Sequence, residues 1–187
     1  MKDSLRLVFV VTLICLVSAL LVSIAHEITE EPIARTKARL KQEAVLAVLP
    51  QGASVLTNTA ITVVWPDGSL STNAVSTTDK GYALEVVAPN GYAGPIELML
   101  GFTPDGTFWS YQVLSHSETP GLGSHITGSF IDHVRERVAL TTNWKTTKDG
   151  GDIAPITAAT ISSRAVCDAI ARGVVIFEAI GKQEALK

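Results

Sequence analysis

The chain is predicted to be an α+β protein: one N-terminal transmembrane helix, then a domain with a mainly antiparallel sheet and flanking helices. Three observations carry this prediction. An uncharged run opens the chain, Asp-Gly and Asn-Gly pairs punctuate alternating apolar stretches in its middle, and apolar residues recur at helical spacing near its end. Residues 1–26 read as a membrane anchor, 27–52 as a helical stalk and 53–187 as the globular domain.

The anchor rests on Leu7 to Ala25, 19 residues without a charge, preceded by Lys2 and Arg6. As a helix this run is about 28 Å long, close to the ~30 Å hydrocarbon core of a bilayer, so it spans once. Small residues at Ser23 and Ala25 leave a cleaved secretory signal as the competing reading, but the apolar run exceeds the ~7–15 residues usual for one. Arg35, Lys37, Arg39 and Lys41 follow the span, whereas Glu27, Glu30 and Glu31 lie closer to it. Charge alone therefore leaves the orientation open.

The stalk is expected as a helix from Pro32 to Leu49, with Glu30 and Glu31 at its start, Pro32 in its first turn and Pro50-Gln51-Gly52 as its stop. Its apolar residues, among them Ile33, Leu40, Val45 and Leu49, are expected to rest on the domain.

From Ala53 the period becomes strand-like. Ile61 to Trp65 runs into Pro66-Asp67-Gly68, Tyr82 to Val87 into Pro89-Asn90-Gly91, and Pro95 to Phe102 into Pro104-Asp105-Gly106, before a further strand from Thr107 to Leu114. An antiparallel sheet of at least four strands follows. Trp65, Tyr82, Tyr92, Phe102, Phe108, Trp109 and Tyr111 are spread along it, and their expected role is packing in the core or on strand faces. Two irregular passages come next, His116 to His125 and Trp144 to Asp152. In the closing helix Val166, Ile170, Val174 and Phe177 form a buried stripe, while Arg164, Asp168 and Arg172 fall on an opposite face.

Composition and motifs exclude several functions. With 18% charged residues and a net charge of -3, there is no basic excess to neutralise phosphates, so nucleic acid is not an expected partner. His26, His116, His125 and His133 show no metal-ligand spacing, and no Gly-x-Ser-x-Gly elbow, dinucleotide fingerprint or phosphate-loop lysine occurs. Cys15 and Cys167 read as small hydrophobes.

Two segments carry binding chemistry. Thr157-Ala158-Ala159-Thr160-Ile161-Ser162-Ser163 opens the last helix. Small side chains let an anion approach the free N–H groups of the first turn, where the helix dipole favours negative charge. The plainer account is helix capping by Thr and Ser. Glu118-Thr119-Pro120-Gly121-Leu122-Gly123 places an apolar Leu122 between two glycines, suited to covering one face of a flat ring, or else folding Leu122 back into the core.

These segments resemble a known family. Gly91-Tyr92-Ala93-Gly94-Pro95-Ile96, Gly101-Phe102 with Asp105-Gly106, Ser115 to Gly123, and Gly150-Gly151-Asp152-Ile153 leading into Thr157 to Ser163 are similar to the G subunit of the Rnf-type ion-translocating ferredoxin:NAD oxidoreductase. More distantly they resemble the C subunit of the sodium-pumping NADH:quinone reductase. The resemblance implies an FMN-binding domain, with FMN joined by a phosphoester to the hydroxyl of Thr160 and installed by a flavin transferase. It also implies phosphate surroundings at Thr157, Ala158, Ala159, Ile161, Ser162 and Ser163, and a flavin-contacting loop at Glu118, Thr119, Gly121, Leu122 and Gly123. The implied function is electron transfer within a membrane complex that couples ferredoxin and NAD to ion movement. Its partners are the other subunits, and the domain faces outward from the inner (cytoplasmic) membrane, on the periplasmic side. Alternatives are a subunit of the quinone reductase, or an anchored module that binds a phosphorylated ligand without redox chemistry. Two positions depart from the family pattern: Ala158 stands where glycine is usual, and Ala154 where an acid is usual, with Asp152 two residues upstream.

Overall fold

A computed structural model describes residues 2–65 and 70–184. The Pro66-Asp67-Gly68 turn lies outside them. The chain forms two compact units, residues 1–40 and 41–187.

The described residues of the first unit are helical and belong to α1 (Lys2–Ala47). Its most apolar window has a mean hydropathy of 3.0, none of it is buried in the protein, and the helix is long and apolar enough to cross a membrane. Pro32, expected in the first turn of a separate stalk helix, lies inside α1 instead. It has no N–H to donate, so the Ile28 carbonyl loses its usual partner. The flanking turns keep local support: Arg35 pairs with Glu31 at 2.6 Å, and the hydroxyls of Thr29 and Thr36 donate to the carbonyls of Ala25 and Pro32. Ile33 and Leu40 are exposed.

The second unit starts with the last turns of α1 and continues into a six-stranded antiparallel meander in the order β1-β2-β3-β4-β5-β6. The strands are β1 (Val55–Val64), β2 (Leu70–Thr78), β3 (Gly81–Ala88), β4 (Ile96–Phe102), β5 (Thr107–Ser115) and β6 (Arg137–Val138). Alternation divides the side chains between two faces. Leu84, Val86, Leu98, Leu100 and Phe102 face the main core, which α3 (Thr160–Glu184) completes by lying across β3 and β4. Phe177 of α3 stacks on Phe102 with centroids 5.1 Å apart, and Val166 and Ile170 of the predicted stripe are wholly buried. Val174 and Phe177 pack at the margin of that core. On the opposite face Ala83 and Met99 receive Ala44, Val45, Val48 and Leu49, and Lys41 reaches Glu85 at 2.6 Å. Val45 and Leu49 therefore rest on the domain, as expected for the end of the stalk.

Three connections position the site. Ala88 pairs with Ile96 across a loop of residues 89–95, which carries Tyr92 and Ala93. After β5 the chain enters a 3-10 turn (Gly123–Thr127), pinned to the sheet by the buried Tyr111 hydroxyl, which donates to the Ile126 carbonyl at 2.5 Å. Burial pushes the Tyr111 phenol well above its ordinary pKa. Following α2 (Ile131–Val134) and β6, residues 143–153 close on themselves: Thr147 N–H donates to the Ile153 carbonyl at 2.8 Å, and Asn143 N–H to the Asp152 carboxylate at 2.7 Å.

Candidate functional site

Helix α3 begins without a side-chain cap from its N-cap position. The first bond of the helical ladder runs from Ser163 N–H to the Ala159 carbonyl at 3.1 Å, which makes Ala159 the N-cap. Alanine has no side-chain oxygen for this task, and the N–H groups of Thr160, Ile161 and Ser162 precede the ladder. The hydroxyls of the Thr/Ser run serve elsewhere. Ser163 accepts from Ile156 N–H at 2.9 Å and donates to the Ala159 carbonyl, bracing the turn before the helix. Ser162 donates to Glu118 Oε2 at 2.6 Å, and Thr160 Oγ1 accepts from Lys148 Nζ at 3.0 Å.

These groups border a cavity of about 530 Å³ lined by Tyr92, Glu118, Thr119, Leu122, Gly123, Lys148, Ala158, Ala159, Thr160, Ile161 and Ser162. The glycine-rich loop and the start of α3, far apart in sequence, form opposing walls. Leu122 is 45% exposed, so it faces the cavity mouth and is not folded into the core. Of the residues singled out from sequence, Thr157, Gly121 and Ser163 do not line the cavity: Thr157 is exposed, Gly121 donates to Ser124 Oγ at 2.9 Å in the turn, and Ser163 is the buried brace.

Glu118 is the joint between the walls. Only 4% exposed, its carboxylate accepts from Ser162 on α3 and from Ala93 N–H of the 89–95 loop at 3.2 Å. A buried carboxylate is tolerated when hydrogen bonds replace water. Gly123 has to be glycine for this contact, because a Cβ there would lie 2.4 Å from Glu118 Oε2.

Three features were not singled out from sequence. Tyr92, expected among packed aromatics, is 68% exposed and lines the cavity, because the 89–95 loop carries it beyond the sheet. Lys148 enters from the 3-10 turn Thr147–Asp149. Asp149 in that turn binds Arg164 of α3 through two bonds of 2.7 Å each. The Arg164 guanidinium, helped by the Thr146 hydroxyl, holds the Asp149 carboxyl at a pKa of about 2. An Asp-Gly-Gly sequence signals a turn, but not which helix the turn reaches. Below Asp149 the Cys167 thiol is pushed up to about 12, first by burial and then by Asp149 and Asp168.

The two family departures have structural expression. Ala158 adopts φ 63°, a left-handed conformation in which glycine is favoured. Ala154 is exposed, with its carbonyl 2.7 Å from His133 Nδ1, while Asp152 is occupied by Asn143 in closing the loop.

Fold and site define a class: residues 91–175 match the FMN-binding domain family. The G subunit of the ion-translocating oxidoreductase complex from Cereibacter sphaeroides is 33% identical over 177 residues, covering 89% of this chain and 80% of that protein. Its counterpart in Pasteurella multocida is 42% identical over 95 residues, 48% of this chain and 47% of that protein. The counterpart in Salmonella typhi is 38% identical over 106 residues, 54% of this chain and 52% of that protein, so the chain spans about half the length of these two relatives. The chain belongs to the family of G subunits of the ion-translocating oxidoreductase complex.

The cavity suits a flavin nucleotide. Its volume of about 530 Å³ lies within the range of small-molecule sites, about 300–1,000 Å³. One end offers free N–H groups, the positive end of a helix dipole and an ammonium group, which match a phosphate. The other offers Tyr92, Leu122 and Ile161, all exposed, which match a flat apolar ring.

Proposed function

We propose that this protein is the FMN-carrying electron-transfer subunit of a membrane-bound complex that couples ferredoxin and NAD electron transfer to ion translocation. The observation that carries this reading is the convergence of the uncapped start of α3, the Thr160 hydroxyl and the exposed Leu122 on one cavity in a chain with an FMN-binding domain. Bound FMN supplies a ring that takes up and returns electrons. The protein's task is to hold and orient it. Lys148 and the first N–H groups of α3 meet the phosphate, Tyr92, Leu122 and Ile161 border the ring, and Glu118 holds the two walls together.

Thr160 Oγ1 is the attachment oxygen in this proposal. A flavin transferase joins it to the flavin phosphorus, breaking the pyrophosphate bond of a flavin dinucleotide donor; a nucleoside monophosphate leaves and the hydroxyl proton is released. Attachment keeps the cofactor on a domain that lies outside the inner (cytoplasmic) membrane, where a dissociated flavin would be lost. The outward placement and the other members of the complex as partners follow from the resemblance, and the apolar helix α1 supplies the anchor.

The full chain, co-expressed with a flavin transferase and purified in detergent, is expected to be yellow, to bleach on chemical reduction and to recover on reoxidation. A colourless protein, or a bound chromophore that cannot be reduced reversibly, would overturn the redox role.

A further inference from the structure

We propose that Lys148 is the side chain that recognises the FMN phosphate, and that the Asp149–Arg164 ion pair is what positions it; this rests on the flavin seat proposed above. The primary observation is the 3.0 Å hydrogen bond from Lys148 Nζ to Thr160 Oγ1. Any phosphoryl group that approaches or is esterified to that oxygen comes within reach of the ammonium group, and an ester oxygen still has lone pairs with which to accept. Among the described residues lining the cavity Lys148 is the cation and Glu118 the acid. The Glu118 carboxylate is engaged by Ser162 and Ala93 and makes no ion pair with Lys148, so an entering anion meets an ammonium group beside the free N–H groups of α3.

The lysine stands on a braced segment. Its 3-10 turn is closed by Thr147 N–H to the Ile153 carbonyl at 2.8 Å and Gly151 N–H to the Thr146 carbonyl at 3.0 Å. A Cβ on Gly151 would lie 2.1 Å from the Lys145 carbonyl oxygen, so the loop closes as tightly as backbone allows. The next residue, Asp149, then grips Arg164 with both carboxylate oxygens. Arg164 is four residues beyond Thr160, one turn along the same helix face. One loop thus ties itself to α3 with Asp149 and presents Lys148 to the hydroxyl a turn earlier. The plain alternative is a surface lysine bonded to a threonine. Such a bond adds little to stability while ordering a long side chain against its entropy, so it predicts no effect on ligand choice.

The test uses the full chain made without a transferase, as wild type, Lys148→Met, Lys148→Arg and Asp149→Asn. Each is titrated with FMN and with riboflavin, which has the same ring but no phosphate, and its thermal midpoint is recorded. The wild type is expected to prefer FMN by about tenfold or more, the scale of one charge-assisted hydrogen bond. Lys148→Met should lower that preference by about tenfold, leaving only what the first N–H groups of α3 supply, with riboflavin affinity and thermal midpoint unchanged; Lys148→Arg should recover part of the loss, and Asp149→Asn should show part of it. A Lys148→Met chain that keeps the full preference overturns the proposal while leaving the flavin seat standing. If neither flavin binds reversibly, the variants are compared by covalent flavin fluorescence after co-expression with the transferase. There Lys148→Met should label about tenfold less than wild type, and equal labelling overturns the lysine's role. A wild type that neither binds nor becomes labelled overturns the seat itself, and the proposal with it.

Discussion

Ala158 sits at φ 63° immediately before the N-cap of α3, where its Cβ crowds the backbone as a glycine would not. The conformation is retained because both neighbours are fixed: Ala159 N–H donates to the Ile156 carbonyl at 3.1 Å, and Ser163 braces Ile156. Ala158→Gly is therefore expected to stabilise the domain by about 1 kcal/mol, the left-handed penalty less the added entropy of a glycine in the unfolded chain. Chemical denaturation followed by circular dichroism checks this, and an unchanged or lower midpoint would show that the strain is relieved elsewhere. The same residue shows where sequence stops short. A small side chain at position 158 was legible as access for an anion, but the need for positive φ arises from the turn that Ile156 and Ser163 impose. Tyr92 was legible only as an aromatic near strands, since its exposure depends on the length of the loop between Ala88 and Ile96.

At the scale of elements, the 3-10 turn Thr147–Asp149 and the first turns of α3 act as one piece through the Asp149–Arg164 pair. The pH dependence follows from the Asp149 carboxyl, whose pKa of about 2 lies below its ordinary 3.8. Because the folded value is the lower one, the pair's contribution is complete above the ordinary value and is lost as pH falls through about 2. Carboxyl carbon NMR should find that midpoint for Asp149, and Arg164→Gln should move it back toward 3.8, since Arg164 is the largest cause of the shift. A midpoint unmoved by that substitution would mean that the turn is held by other groups. The elements themselves were unevenly legible. Strands β3, β4 and β5 follow their alternating apolar residues and turn pairs, and α3 follows its stripe of Val166, Ile170, Val174 and Phe177. Strand β2, Leu-Ser-Thr-Asn-Ala-Val-Ser-Thr-Thr, buries only Val75 and Thr78 among its described side chains, so its pairing with β1 and β3 leaves little apolar pattern to see. Strand β6 has two residues and exists only as a partner for the start of β5. Lys148 was hidden for a related reason: its contact with Thr160 follows from loop closure at Asn143, Asp152 and Gly151, not from spacing along the chain.

For the whole molecule, the proposed function divides the work between the apolar helix α1, which confines, and the α+β domain, which holds the flavin. The helix is suited to hold the protein in a bilayer, and the domain gathers four separate segments around one cavity: the 89–95 loop, the loop before the 3-10 turn at Gly123, the turn bearing Lys148, and the start of α3. Only two of those four were identified from sequence as binding segments. They were the two whose chemistry is local, a helix start with small residues and a loop with paired glycines. Attachment of the flavin at Thr160 is the central proposal, and it bears on a segment in which Ala154 and Ala158 replace the usual acid and glycine. The most direct measurement is mass spectrometry of the full chain after co-expression with a flavin transferase, with fragmentation of the tryptic segment 149–164, which contains Thr157, Thr160, Ser162 and Ser163. Attachment at Thr160 predicts a single FMN phosphoester there that is absent from Thr160→Ala. No adduct, or one on Thr157, Ser162 or Ser163 instead, would contradict it.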